Sequence, residues 1–191
     1  IEPIAFTKIV ESNKQNASTS EVLHGDYEKL RKEILTKSFN YGPATEKLES
    51  ELNEIAGFLD EEKKLTTQGD HLEARQYLDD AKVKLSMVKD QVQLIVPLFK
   101  DLDQVFPGQI EEIQSVYQKL VQQQYRFSVN IDDEIDTVDK NIYKSNEALG
   151  DLNFDVVDQL NEKIKTDINN LYDVLSMEIN SKRQVLTQSF G

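Results

Sequence analysis

The sequence predicts an all-α protein, an elongated array of long antiparallel helices. Three observations carry that prediction. Apolar residues recur at steps of three and four over long runs, for example Leu78, Ala81, Leu85, Val88, Val92, Ile95, Phe99, Leu102 and Phe106. That spacing lines one side of an α-helix. Hydrophobic residues make up 38% of the chain and charged residues 30%, which suits narrow seams on long helices better than a broad globular core. No stretch alternates apolar and polar residues between turn signals as a strand does.

The first segment, Ile1 to about His24, begins a seam at Phe6, Ile9 and Val10, with Pro3 at a position that suits a first helical turn. Glu11 to Ser20 is polar and rich in weak helix formers. Asn13 and Ser20 nevertheless keep the phase that Leu23, Tyr27 and Leu30 resume, so the segment is expected to be helix, kinked or frayed near Gly25. It would join a first long helix over 1–68. Within it, Tyr41 and Ala44 keep the seam in phase across Gly42-Pro43, which predicts a kink there and not a break.

Gln68-Gly69-Asp70 is expected to be a hairpin tip. Gly69 supplies a positive φ that ends one helix, Asp70 caps the next, and Glu73 sits at the positive end of its dipole. The second helix, 70–105, holds its register through Pro97, which predicts a bend. Phe106-Pro107-Gly108 reads as the next turn, followed by one helix over 108–149 whose seam includes Gln124, Phe127 and Ser145. A third turn at Gly150-Asp151 leads to the last helix, 153–188. The resulting regions are 1–107 and 108–191, with helices shared across the boundary.

Composition excludes several function classes. A net charge of −13 repels nucleic acid and anionic bilayers, so neither is an expected partner. There are no cysteines for disulfides or thiolate metal sites, and only two histidines, His24 and His71. The acidic stretch Asp132, Asp133, Glu134, Asp136 and Asp139 alternates with Ile131, Ile135 and Val138, which marks a solvated helical face and not a calcium loop. No phosphate loop or nucleophile elbow is present. No cofactor, metal or catalytic residue is therefore expected. No apolar run reaches the length of a membrane span. The chain starts at Ile1, which reads as an internal piece of a longer protein.

One stretch stands apart. Leu171 and Leu175 belong to the last seam, but Tyr172 and Val174 widen the apolar surface beyond it. Leu171, Tyr172, Asp173 and Glu178 are the candidate interaction surface, for a neighbouring helix or for a partner.

These residues also carry a resemblance. Asp26-Tyr27 with Leu30, Phe39 to Ala44 with Gly42-Pro43, and Leu48-Glu49 come first. Gly69-Asp70 with Glu73-Ala74-Arg75, then Pro97, then Phe106-Pro107 with Gln109 follow. Leu171-Tyr172-Asp173-Val174-Leu175 with Glu178 comes last. In this order and spacing, over about Asp26 to Val185, the chain resembles the EzrA family of septation-ring regulators. It departs from the family at Gln124-Tyr125, where Gly usually precedes the tyrosine, and at Ser176-Met177, where a Leu-Glu pair is usual.

The resemblance implies a cytoplasmic rod of spectrin-like triple-helix bundles, held at the membrane of the division septum by one N-terminal anchor that is absent here. It implies a non-enzymatic regulator that binds and restrains FtsZ and links it to septal wall synthesis. The implied partners are FtsZ and division and cell-wall synthesis proteins, with homodimerisation open. The alternative from the residues alone is a generic coiled-coil or spectrin-like linker, or a phage tail-length protein.

Overall fold

A computed structural model describes residues 3–190. The described residues contain helices and turns and no strands, so the protein is all-α. The chain divides into two compact units, Ile1–Val96 and Pro97–Gly191.

In the first unit, α1 spans Pro3–Thr36, α2 spans Thr45–Gln68, and α3 starts at His71 and runs to Lys100. Asn16 meets Arg75 and Asp26 meets Lys89, so α1 and α3 run parallel. Ser20 meets Glu62, and Lys84 meets Glu51 and Glu54, so α2 runs antiparallel to both. The seams converge on a core of Leu23, Leu30, Ile34, Leu48, Leu52, Ile55, Leu59, Leu78, Ala81, Leu85 and Val88, all buried.

The polar start of the chain is helical, as the phase of Asn13 and Ser20 predicts, and α1 continues through Gly25. The expected single helix over 1–68 is interrupted, however. Two 3-10 turns, Ser38–Asn40 and Gly42–Ala44, separate α1 from α2. Gly42 takes a φ of 51°, which a right-handed helix does not accept, and Pro43 restarts the chain in the first turn of the next element. The seam spacing persists across the break because Tyr41 and Ala44, at 1% and 0% exposure, plug the end of the bundle. Their burial comes from the reversal itself.

Gly69 behaves as the sequence predicts, with φ 85°. Its N–H donates to the Thr66 carbonyl and the Asp70 N–H donates to the Leu65 carbonyl. That pair of bonds is a Schellman motif.

In the second unit a π turn over Asp101–Val105 leads into α4, Phe106–Gln122. The turn expected at Pro107 is absent: Pro107 and Gly108 lie in the first turn of α4. Helical geometry runs through Pro107, and the π turn before it, closed by the Phe106 N–H on the Asp101 carbonyl, accommodates the missing donor and the ring. The wider π turn also accommodates the two consecutive four-residue steps from Leu102 to Phe106 to Ile110, all buried. Pro97 lies inside α3, which continues past it to Lys100.

The helix expected over 108–149 is two helices. After α4 the chain leaves helical geometry over 123–130, and α5 runs Ile131–Gly150. Asn130 caps α5 by accepting from the Asp133 N–H at 3.1 Å, and Asp132, Asp133 and Glu134 occupy its first turn, where the dipole favours them. The last reversal leads to α6, Phe154–Phe190. Ser145 meets Asn161 across α5 and α6, which run antiparallel, while Gln123 meets Lys182 and α4 runs parallel to α6.

Candidate interaction surface

The four residues singled out on α6 do not form one patch. At about 100° per residue, Asp173 lies roughly 200° around the helix from Leu171. Leu171 is buried in the seam with Leu175, Ile168 and Ile164. Asp173 is exposed. Tyr172 is half-buried and faces α4. Burial first, then a hydrogen bond to the Glu112 carboxylate, raises its phenol above the usual tyrosine value.

Glu178, two turns further on, is half-buried and lines a shallow groove with Gln124, Tyr125, Arg126, Ser181, Lys182 and Val185. The groove is built by the 123–130 connection, which the sequence reading ran through as helix. Gln124 holds a φ of 67°. Its N–H donates to the Val121 carbonyl and the Tyr125 N–H donates to the Leu120 carbonyl, again a Schellman closure. The Tyr125 ring then lies under the Lys182 ammonium, 3.9 Å from the ring centroid. Phe127 packs edge-on against Tyr117, with ring centroids 5.3 Å apart.

Buried polar residues sit in both units. Ser145 donates to Asn161 at 2.6 Å inside the α5–α6 hairpin, beside buried Asn141. In the first unit, buried Glu62 accepts from Ser20 at 3.0 Å and from Thr66 at 3.2 Å. Sequence reasoning gave Ser145, Ser20 and Lys182 seam positions but did not reach Asn16 or Glu62. The signal for Glu62 was its step of three beyond Leu59, a polar residue at seam spacing.

The turn residues also separate. Gly69 and Asp70 lie at the α2–α3 tip, Pro107 inside α4, and Gly150 at the last residue of α5. The positive φ of that last reversal falls on Leu152, at 56°. Among the described residues, no group of three or more His, Cys, Asp or Glu side chains is placed to hold a metal ion. No described helix is long and apolar enough to cross a membrane.

The family model for the septation ring formation regulator EzrA matches residues 4–189. The chain is 34% identical over 164 residues to the septation ring formation regulator EzrA of Lactiplantibacillus plantarum, which covers 85% of the chain and 29% of that relative. It is 29% identical over 178 residues to the Enterococcus faecalis protein of the same name, covering 93% of the chain and 31% of the relative. A Listeria monocytogenes relative is 28% identical over 175 residues, covering 91% and 31%. The chain thus spans about three tenths of the length of these curated relatives. No solved structure matches it.

Proposed function

This chain belongs to the EzrA family of septation ring formation regulators, and on that premise we propose that it is a non-enzymatic length of helical scaffold in a cell-division regulator. The observation that carries the reading is the family match across residues 4–189, nearly the whole chain. The scaffold works by presenting side chains along packed helices and performs no chemistry of its own. Its partners are proteins: FtsZ, whose assembly it restrains, and division and wall-synthesis proteins to which it links FtsZ. Its place is the cytoplasmic face of the membrane at the division septum, where the full-length protein holds it through an N-terminal anchor. Nucleic acid is not among its partners, since the net charge of −13 opposes it. The α6 face carrying Tyr172, with exposed Asp173 and half-buried Glu178 beyond it and Leu171 beneath in the seam, is the proposed contact region.

Sedimentation of FtsZ polymers formed with GTP, in the presence and absence of this chain, tests the reading. The expected result is less FtsZ in the pellet, or the chain sedimenting with it. An unchanged pellet that leaves the chain wholly in the supernatant overturns the FtsZ assignment and leaves a helical linker.

A further inference from the structure

The two halves of α1 are held by different physics. From Leu23 onward the helix buries Leu23, Leu30 and Ile34 in the core of the first unit. Among the described residues before Leu23, the only buried one is Asn16, and it is polar. Asn16 donates its amide to the His71 carbonyl at 3.2 Å and accepts from the Arg75 guanidinium at 3.2 Å. One turn later Ser20 donates to Glu62. Of the larger apolar residues of this half, Ile4, Phe6, Ile9 and Val22 are exposed at 59–69% and Val10 is half-buried.

The contact beneath it is also open. A groove of about 370 Å³ separates Ser18, Thr19 and Val22 from Lys82 and Ser86. A second, of about 500 Å³, lies between Ile9, Ser12 and Asn13 and the start of α3 at His71 and Leu72. A segment attached by exchangeable hydrogen bonds and little apolar area has a low free energy of local opening, because water replaces those bonds when it leaves.

We propose that residues 4–22 of α1 are a detachable strap. The strap opens as a unit while α2, α3 and the rest of α1 stay folded, with its hinge just before Leu23. When docked it lies against the end of α2 and the start of α3, where Asn16 reaches His71 and Arg75 and Ser20 reaches Glu62. When open it uncovers Glu62, Arg75 and the His71 carbonyl. The bonds of Asn16 and Ser20 are ones that water replaces on opening, which keeps the opening reversible. The device is independent of the family reading and acts whichever partner the chain serves.

Native-state hydrogen exchange, read residue by residue on the whole chain, tests it. Amides of residues 5–22 are expected to exchange about 100-fold faster than those of 48–59 and 78–95, yet well below the rate of an unstructured chain. Asn16→Ala removes both of its bonds and is expected to speed the first set roughly tenfold, and to leave the second set unchanged. Ser20→Ala, a mild change, is expected to speed the first set alone by roughly two- to tenfold. Equal exchange in the two sets overturns the proposal, because α1 would then open only with the whole unit. Exchange of 5–22 at unstructured rates also overturns it, because there would be no docked state. So does a result in which both variants move both sets together.

Discussion

The Lys182 ammonium stands 3.9 Å from the centre of the Tyr125 ring and donates a hydrogen bond of 2.8 Å to the Gln123 carbonyl. One side chain of α6 thereby fastens both the end of α4 and the first residues of the α4–α5 connection. The carbonyl at the α4 terminus carries the negative end of the helix dipole, so a cation there is favoured twice, by the bond and by the field.

Lys182→Ala removes both contacts. It is expected to lower stability by about 1 kcal/mol, the scale of one exposed cation–π contact with one modest hydrogen bond. Lys182→Met retains most of the stem, so the loss it shares with alanine reports the charge. Urea unfolding curves for the two variants check this; a midpoint unchanged in both would mean that the ammonium does not hold the connection.

Gln124 is the companion case. Its φ of 67° lies in the left-handed region, which costs a non-glycine residue about 1 kcal/mol or more, and its side chain is exposed and contributes little burial. Gln124→Gly is therefore expected to raise stability by about 0.5–1 kcal/mol, with relief of strain exceeding the added entropy of the unfolded chain. The same chemical denaturation series reads it. A fall in the midpoint would show that the glutamine side chain does something here that its exposure hides.

Three reversals in this chain close with the same pair of backbone bonds, and they were unequally legible. The one at Gly69 carries the residue type that left-handed geometry favours, and the sequence located it. The other two place Gln124 and Leu152 at the equivalent position, with φ 67° and 56°. Neither residue signals a left-handed backbone, so one break was read as continuous helix and the other was centred on Gly150, two residues early. Phe106-Pro107-Gly108 misled in the opposite direction, because a π turn just before it carries the helix through a proline and a glycine that usually mark a break. The seams themselves were legible: Leu85, Val88, Ile95, Ile110, Ile113, Ile131, Ile135 and Val138 are all buried. Helical periodicity reports which side of a segment is apolar, but it does not report whether the segment is one helix or two. In the contact region, the apolar width at Tyr172 was visible, whereas its Glu112 partner on another helix was not, since pairing between helices depends on their offset.

Alkaline pH should act on the buried tyrosines. Burial raises the Tyr41 phenol, with a smaller contribution from the Glu33 charge, and burial is also the largest cause of the rise at Tyr27 and Tyr172. A folded-state value above the unfolded one, about 10, means that the folded chain holds these protons more tightly. The stability this contributes is fully present below about pH 10 and is lost as the pH climbs through the raised folded values. Tyr41→Phe has no proton to lose at that site, so its urea midpoint is expected to fall less between pH 9 and pH 11 than that of the parent chain. Identical slopes would show that ionisation of Tyr41 does not drive the loss.

Tyr172 decides between two uses of the same α6 face. It is half-buried, its hydroxyl serves Glu112 on α4, and its neighbour Leu171 is buried in the seam. If its work is to hold α4 against α6, Tyr172→Ala loses ring contacts and the hydrogen bond together, and the cost should approach the 1–3 kcal/mol typical of a partly buried side chain. Tyr172→Phe then recovers most of it, because the ring contributes more than the hydroxyl. If the ring instead anchors a partner, the alanine variant keeps its thermal midpoint while its effect on FtsZ sedimentation weakens, as aromatic anchors at interfaces do. The contact with Glu112 favours the first outcome, so the expected result is a midpoint several degrees lower for Tyr172→Ala. A stable Tyr172→Ala with weakened FtsZ binding would transfer the residue to the partner surface. A variant unchanged in both measurements would remove Tyr172 from either role and leave exposed Asp173 as the residue of that stretch still to be tested.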